Sequence, residues 1–399
     1  MHTLISFLGK GRVDAKTGYR QATYRFPDGR TDTTPYFGLA LTRHLQPDRL
    51  VLLGTAGSMC DVLVENLPGI ASEDDTLRLA LMDAVAAQRV DQPLLERVAP
   101  LIARALGRPV QLQCIPFGRD AAEQRAILDA IAKAAPNGQV SLDLTHGFRH
   151  LPMLGLLSAF VLDGLGRQVA GLYYGALDMS AGDIAPVLRL DGLIAVQRWV
   201  DVLASFEASG DYGLFAPLLE RDGVPADKAR CLQEAAFFER TFNVSDAARK
   251  LNSFLPILDT HLPGASGLFQ NRLKERLAWV REGDLAAQQR KLAFEHLERG
   301  DYVRAVIFGY EGLLTRLCRE QARDPLNFAE RKQVADDFGR ELRAGEHADG
   351  KREAFRTLSY LRNALAHGTP PHAEHLRRVL RDAQALRGEI EACLNRLQA

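Results

Sequence analysis

Short apolar runs and helical patterns alternate along the first half of the chain. Runs of consecutive apolar residues bounded by turn residues are typical of buried strands. These runs are Leu4 to Leu8, Leu50 to Leu53, Val110 to Ile115, Val140 to Leu144 and Val169 to Tyr174. Segments with a helical period separate them, at Pro35 to Leu45, Thr76 to Gln88, Pro93 to Leu106, Ala121 to Ala134 and Leu151 to Leu165. This alternation predicts a mostly parallel sheet with helices on both faces.

One segment after the first strand has a different pattern. Tyr19 to Phe26 alternates polar and apolar residues and ends at Pro27-Asp28-Gly29, which predicts an exposed hairpin. The apolar residues from Met1 to Leu8 have no basic leader, so we predict a buried first strand here and not a signal segment. No apolar run is long enough to span a bilayer.

Strand signals disappear after about Asp191, and long helical periods replace them. The stretch from Pro263 to Gly267 is the best candidate for a linker. Helical patterns then cover Leu285 to Arg299, Tyr302 to Ala322, Phe328 to Leu342, Lys351 to His367 and Ala373 to Leu397. We therefore predict an α/β domain at residues 1–190, a helical connector at 191–283 and an all-α helical bundle at 284–399.

Composition narrows the choice of partners. The 399 residues include 50 basic and 50 acidic side chains, so the formal net charge is zero. A broad polyanion-binding surface is not indicated, and any contact with nucleic acid must be local. The five cysteines are scattered and form no close pair of the kind that zinc sites use. We expect no metal site, and reduced thiols in a cytoplasmic protein.

The stretch from Arg362 to His367 ends one of the predicted helices, and Gly368 follows it. Arginine can stabilise the charge that develops on a reacting phosphate, and imidazole can transfer a proton near neutral pH. Metal-free RNA cleavage needs both groups, because the 2′-hydroxyl must lose its proton as it attacks the adjacent phosphorus. Arg362 and His367 are therefore candidate catalytic residues, and we include Asn363, the asparagine that follows the arginine, with them.

The spacing of these residues limits how they can act. Residues five apart on an α-helix are separated by about 140°, so Arg362 and His367 do not share a face, whereas Asn363 and His367 do. Two copies of the helix facing each other across a two-fold axis would bring two such pairs together. The alternative is structural, with Arg362 as a solvated helix residue and His367 as part of the helix end.

The stretch from Leu361 to Gly368 resembles the signature of HEPN ribonucleases, an arginine followed after a short spacer by a histidine. The resemblance implies a small helical bundle that dimerises and builds a composite RNA-cleaving site. It also implies an acidic or polar residue on an earlier helix that supports the site, for which Glu311 is the candidate.

The loops after the predicted strands are rich in glycine and polar residues. Open parallel sheets bind ligands beyond the carboxyl ends of their strands, where these loops meet. Glycines let backbone N–H groups approach an anion, and Lys10, Arg12, Arg119 and Arg149 add positive charge. Together the loops predict a nucleotide ligand that carries phosphate, although each loop alone also fits an ordinary turn. Neither a dinucleotide fingerprint nor a P-loop is present.

Four segments in this order resemble the CARF domains of type III CRISPR ancillary proteins: Leu4 to Arg12, Tyr24 to Gly29, Leu53 to Met59 and Asp143 to Pro152. The resemblance implies a Rossmann-like fold that dimerises and binds cyclic oligoadenylate. Carried over to this chain, the ligand-binding residues are Gly9, Lys10, Gly11, Arg12, Thr55, Ala56, Gly57, Ser58, Met59, Thr145, His146, Gly147 and Arg149.

Within this set we assign Lys10 and Arg12 to phosphate contacts, and Ser58 and Thr145 to hydrogen bonds with the ligand. Asp143 is expected to order its turn, because a carboxylate does not favour contact with an anion.

A CARF domain joined to a HEPN domain implies a homodimeric, metal-independent endoribonuclease of type III CRISPR antiviral defence. Cyclic oligoadenylate would activate it, with cyclic tetra-adenylate favoured over hexa-adenylate, and single-stranded RNA would be cut to leave 2′,3′-cyclic phosphate ends. One alternative is a sensor of cyclic oligonucleotides whose helical domain is inactive. Another is a protein that also degrades its own cyclic activator.

Overall fold

The structure is a computed structural model that describes residues 1–11, 13–14, 18–67, 70, 75–135, 137–345, 349–369 and 371–397. The chain forms two compact units, Met1–Gln197 and Arg198–Ala399. Strands and helices alternate in the first unit, whereas the described residues beyond Arg189 contain helices and no strand. This arrangement confirms the predicted fold class, an α/β N-terminal domain followed by an all-α helical part. A further division of the helical part at residue 283 stays a prediction.

The strands of the first unit include all five that the apolar runs predicted. They are β1 (His2–Leu8), β2 (Val13–Asp14), β3 (Gly18–Tyr19), β4 (Ala22–Arg25), β5 (Thr31–Thr34), β6 (Arg49–Gly54), β7 (Val110–Cys114), β8 (Gln139–Asp143), β9 (Gln168–Gly175) and β10 (Ile184–Arg189).

Eight of these strands form one sheet in the order β5-β4-β10-β9-β8-β1-β6-β7. Strands β7, β6, β1, β8 and β9 are parallel to one another, and β10 is antiparallel to β9. Residue Leu4 of the central strand β1 is in register with Leu50 on one side and Ser141 on the other. In chain order, β6 and β7 lie on one side of β1, whereas β8 and β9 lie on its other side, so the direction of strand addition reverses at β1. A crevice at such a reversal is where open α/β sheets bind ligands.

Helices cover both faces of this sheet, as predicted. They are α1 (Phe37–Leu45), α2 (Val62–Asn66), α3 (Asp75–Ala86), α4 (Gln92–Leu106), α5 (Ala121–Ala134) and α6 (His150–Gly164). Side chains of β1 alternate between two buried cores, with Leu4 and Leu8 in one, and Ile5 and Phe7 in the other. Burial on both faces explains why these strands are apolar without interruption.

The hairpin after the first strand is present, and only one of its faces is exposed. β4 and β5 pair antiparallel on either side of the turn that contains Gly29, and β4 also pairs with β10 of the main sheet. Tyr24 is consequently buried, with its ring centroid 4.7 Å from that of Phe37. The prediction of an exposed hairpin is correct for one face only, because the pairing strand β10 was not recognised. Pro186 lies within β10 and interrupts the strand pattern in the sequence.

From Gly192 onward the described chain is helical. The helices are α7 (Gly192–Ser209), α8 (Ala216–Arg221), α9 (Ala226–Arg240), α10 (Val244–Leu258), α11 (Ser266–Arg276), α12 (Leu285–Glu298), α13 (Tyr302–Glu320), α14 (Phe328–Ala344), α15 (Asp349–His367), α16 (Glu374–Val379) and α17 (Ala383–Arg396). Within the described residues, no helix is both long and apolar enough to cross a bilayer.

Helix α13 is central to the C-terminal bundle, where it packs against α12, α14, α15 and α17. The prediction of a single last helix from Ala373 to Leu397 was wrong, because two helices, α16 and α17, cover this range with a turn between them. Asp382 caps the second of these helices, since its Oδ1 accepts a hydrogen bond from the backbone N–H of Ala385 at 2.6 Å.

Candidate functional site

Three loops meet at the carboxyl edge of the parallel sheet. The backbone oxygen of Gly9, after β1, accepts a hydrogen bond from the N–H of Met59, after β6, at 2.8 Å. A Cβ atom built on Gly9 would lie 2.6 Å from the backbone nitrogen of Gly147, after β8. The loops after β1 and β8 therefore touch through their main chains, and only glycine fits at position 9.

Ser58 connects the loop after β6 to the end of β1 through a hydrogen bond. Its hydroxyl donates a hydrogen bond to the backbone oxygen of Leu8 at 2.7 Å and accepts one from the N–H of Thr55 at 2.9 Å. Both Thr55 and Ser58 are buried. The Ser58 hydroxyl, which the sequence assigned to a ligand contact, is engaged within the protein.

A buried hydrogen-bond chain supports the turn after β8. The side chain of Asp143 accepts hydrogen bonds from the Thr145 N–H at 2.9 Å and from the Ser6 hydroxyl at 2.5 Å. The Thr145 hydroxyl in turn accepts one from the N–H of Gly175 at 2.8 Å. Burial raises the pKa of Asp143 to about 6. Asp143 thus orders its turn from within the protein.

His146 also points inward, although the sequence placed it among the ligand contacts. Its Nε2 accepts a hydrogen bond from the backbone N–H of Phe37 at 3.1 Å, and its ring lies 5.2 Å from that of Tyr36. Burial lowers the pKa of His146 to about 4, so the ring is neutral at physiological pH. His146 therefore offers no positive charge to an anion, whereas the side chains of Lys10 and Arg149 are exposed at this edge.

A cleft of 480 Å³ adjoins these loops, and part of its lining is Lys10, Tyr19, Met59, Asp61 and Gln88. The Tyr19 hydroxyl donates a hydrogen bond to Asp61 Oδ1 at 2.6 Å. Burial raises the pKa of the Asp61 carboxyl. The sequence analysis missed Tyr19, Asp61 and Gln88 as site residues. Asp61 follows the glycine-rich loop directly and could have been included, whereas the placement of Gln88 depends on where α3 ends.

The candidate catalytic arginine lies against helix α13. The Arg362 guanidinium carbon is 4.2 Å from the centre of the Tyr310 ring, and Nη1 is 4.0 Å from Glu311 Oε1. Its Nη2 donates a hydrogen bond to Asn363 Oδ1 at 3.3 Å. Glu311, the acidic residue proposed to support the site, is thus in place beside Arg362 in the same subunit.

A second arginine, Arg331 of α14, holds Glu311 more tightly. Its Nη2 donates to Glu311 Oε2 at 2.6 Å and to the Glu311 backbone oxygen at 2.7 Å. Its Nη1 donates to the Thr315 hydroxyl at 3.1 Å. Arg331 therefore fixes the carboxylate that faces Arg362. The sequence analysis missed Arg331, because only the packing of α14 on α13 brings it here.

His367 and Asn363 line a cavity of 650 Å³ at the end of α15, and Arg362 is not part of its lining. This placement follows from the helical period, which puts residues four apart on one face. Several polar side chains share the lining: Arg356, Tyr360, His372 and His375. The sequence analysis missed these four residues, although the spacing of His372 and His375 in the chain after Gly368 was visible. Among the described residues, no cluster of His, Cys, Asp or Glu is arranged to hold a metal ion.

Most of the first unit matches a known domain family. Residues 3–174 match the family model of the CARF domain of the CRISPR system endoribonuclease Csx1. The N-terminal unit is a CARF-type domain. No curated protein sequence matches the chain. Among solved structures the chain is similar to Csm6 from Enterococcus italicus bound to cyclic hexa-2′-fluoro-hexa-dAMP, with 12% identity and a TM-score of 0.42. That alignment covers 100% of this chain and 92% of the other.

The CARF-type domain contains every ligand-binding residue that the sequence predicted. Of these, Gly9, Thr55 to Met59 and Thr145 to Gly147 lie in the three loops that meet, and Arg149 is the cap residue that precedes α6. Arg12 lies outside the described residues. The roles of these residues in binding stay predictions. The arrangement places two exposed cations, Lys10 and Arg149, at one edge of the sheet.

Proposed function

We propose that this protein is a homodimeric endoribonuclease of type III CRISPR defence that cyclic oligoadenylate activates through the CARF-type domain. The observation that carries the proposal is the cavity at the end of α15, where Asn363 and His367 lie together in a chain that begins with such a domain. A sensor at one end and groups for RNA cleavage at the other give the chain the two parts of a ligand-gated enzyme.

The ligand would bind at the edge where the three loops meet. Lys10 is exposed and forms no ion pair within the described part of the chain, so its charge is free for a phosphate. Arg149 is exposed at the start of α6 and has the same role. Cyclic tetra-adenylate is our first choice of activator, with cyclic hexa-adenylate as the second.

The chemistry at the cavity needs no metal ion. His367 would take the proton from the RNA 2′-hydroxyl, and the 2′-oxygen would attack the adjacent phosphorus. The 5′-oxygen leaves with a proton from a second acid, which gives a 2′,3′-cyclic phosphate and a 5′-hydroxyl. Arg362 would stabilise the phosphoryl oxygens, with Asn363 orienting the substrate.

The second acid must be another imidazole or a water molecule. His372 and His375 line the same cavity as His367, so one subunit already brings three imidazoles together. His367 of a second copy of the chain is the other candidate. Two copies are also required to bring Arg362 to the phosphate, because within one subunit it lies on a different face of α15 from His367.

An exposed apolar stripe on α6 supports a dimer. Met153, Leu157 and Val161 follow one another at four-residue intervals and are 71%, 46% and 40% exposed. Side chains at this spacing form one continuous face of a helix. A contiguous apolar face on a protein surface marks a binding interface, and we assign it to a second copy of the chain.

The test is cleavage of a fluorescent single-stranded RNA in EDTA, with and without cyclic tetra- or hexa-adenylate. We expect cleavage only with an activator, and we expect His367→Ala to lower the rate by at least about a hundredfold. His261→Ala, an exposed histidine that does not line the cavity, is the matched control and should retain activity. Cleavage that requires a divalent metal, or that persists in His367→Ala, contradicts the proposed mechanism.

A second function is favoured by the surroundings of Arg362. An arginine that stacks on Tyr310 and faces Glu311 has the contacts of a structural residue. The protein would then sense the cyclic oligonucleotide without cutting RNA. Tight binding of cyclic tetra- or hexa-adenylate together with intact RNA in the same assay would establish this function instead.

A further inference from the structure

Gln88 has a backbone conformation that rarely suits a residue with a side chain. Its φ is +53°, in the left-handed region, two positions after the last residue of helix α3. Its N–H donates to the Val85 oxygen at 3.0 Å, and the N–H of Arg89 donates to the Ala84 oxygen at 2.9 Å. These bonds close the end of a helix in the way that normally places glycine at this position. A glutamine here gives up the conformational ease that glycine would bring to this position.

The side chain of Gln88 lies over the glycine-rich loop after β6. A Cβ atom built on Gly57 would have the Cβ, Cγ and Oε1 atoms of Gln88 as its nearest neighbours, each at 3.6 Å. The N–H of Val90 donates to the Ala56 oxygen at 3.0 Å and holds the two segments together. Within the described part of the chain, the Gln88 side chain makes no hydrogen bond, and its amide lines the cleft beside the loops.

The charges of the described residues deep in this cleft disfavour a phosphate group there, whereas Lys10 can reach a phosphate from its position beside the loops. Among the described residues that line it, Asp61, Glu65 and Asp83 are acidic and Lys10 is basic. A phosphate would face three carboxylates, whereas a neutral base would not be repelled. The remaining walls suit a flat ring, because Tyr19 offers an aromatic surface and Met59 and Met82 offer polarisable thioethers. The cleft therefore fits a nucleobase, with the phosphates on the side of the meeting loops.

We propose that Gln88 reads an adenine base of the cyclic oligoadenylate in this cleft, through paired hydrogen bonds of its side-chain amide. The adenine N6 amino group donates to Oε1, and Nε2 donates to N7. Guanine and hypoxanthine present two acceptors, O6 and N7, at the same edge, so one amide cannot satisfy both. This assignment rests on the proposed function, since the ring must bind at the CARF-type domain for its base to enter the cleft.

The first experiment uses Gln88→Gly in the full chain. Glycine suits the left-handed backbone, so the melting temperature without ligand should be at least as high as that of the wild type. Affinity for cyclic tetra- or hexa-adenylate, measured by titration calorimetry, should nevertheless fall by at least about tenfold. A residue with a structural role alone would lower the melting temperature and leave the affinity unchanged. Equal affinity of Gln88→Gly and the wild type overturns the assignment.

Gln46 provides a matched control. It too is a glutamine in the left-handed region after a helix, with φ of +47°, but it precedes β6 and so lies at the amino edge of the sheet. Its Oε1 accepts a hydrogen bond from Arg108 at 2.7 Å. We expect Gln46→Gly to bind the ring as tightly as the wild type. An equal loss of affinity in both variants would show that the effect is not specific to the cleft.

The second experiment changes the base. The wild type should bind the cyclic oligoadenylate at least about tenfold more tightly than the same ring carrying hypoxanthine, and Gln88→Gly should discriminate less. Unchanged discrimination in the variant overturns the role of Gln88 while leaving ring binding intact. Failure of the wild type to bind either ring overturns the proposed function itself, and the two failures are thereby distinguished.

Discussion

At the scale of the residue, the three candidate catalytic side chains lie in two different surroundings. The helical period alone places Asn363 and His367 on one face and Arg362 on another, and the cavity lining has this arrangement. The contacts of Arg362 with Tyr310 and Glu311 depend on how α15 packs against α13. Side chains from different helices come together only through tertiary packing, so a pattern within one helix carries no signal for them.

Asp143 gives a pH dependence that can be measured. Its pKa is about 6 in the folded protein and 3.8 ordinarily, so the native state holds this proton more tightly than the unfolded chain. The free energy of unfolding therefore falls as the pH rises from about 4 to about 6, by about 3 kcal/mol at most. Asp143→Asn does not titrate, and we expect it to gain stability relative to the wild type across this range.

The measurement is denaturant unfolding of both proteins at about pH 4.5 and about pH 7.5. His146 titrates in the opposite sense, because its pKa is lowered to about 4. It is present in both proteins, so its contribution cancels when their stabilities are subtracted. A difference between variant and wild type that is the same at both pH values contradicts the assignment to Asp143.

At the scale of the element, apolar periodicity predicted the buried strands and the long helices within a few residues. Apolar periodicity failed where strand pairing or helix capping determines the structure. Strand β10 contains Pro186, which reads as a break in the sequence, yet it pairs with β9 on one side and with β4 on the other. The break between α16 and α17 rests on the cap at Asp382 and not on a change of hydrophobic pattern. The prediction was weakest for the loops, because contacts between the backbones of two loops produce no pattern of apolar residues in the sequence.

The junction of the loops after β1 and β8 gives a second prediction. A methyl group at Gly9 would approach the Gly147 nitrogen to 2.6 Å, so one loop must move. We expect Gly9→Ala to lower the affinity for cyclic oligoadenylate by at least about tenfold, as measured by calorimetry. Gly192→Ala is the control, because nothing lies within 4 Å of a Cβ built there, and its affinity should be unchanged. Wild-type affinity in Gly9→Ala would show that this junction does not shape the site.

At the scale of the whole molecule, the proposed RNA-cleaving site requires two chains. The sequence indicated this from the faces of α15, but the apolar stripe on α6 was hidden, because that helix is apolar on its buried and exposed sides alike. A helix with no polar face gives no signal of which side is covered by its own domain. Only the packing of the domain separates Leu151, which is buried, from Met153, which is not.

The variant Leu157→Glu tests the proposed dimer. A carboxylate at the centre of an apolar interface is desolvated without a partner, so we expect the variant to sediment as a monomer and to lose RNA cleavage. Leu79→Glu is the control, because Leu79 is 51% exposed on α3 and Leu157 is 46% exposed on α6. A Leu157→Glu variant that remains dimeric would place the interface elsewhere.

The contact between Gly9 and Gly147 also constrains how the first domain can respond to a bound molecule. Because no side chain separates the two turns, there is no flexible group that could absorb a small displacement of either one. A ligand that displaces one of these turns is therefore expected to displace the other by a similar distance. The two turns would therefore move together when a ligand binds, and not independently of each other.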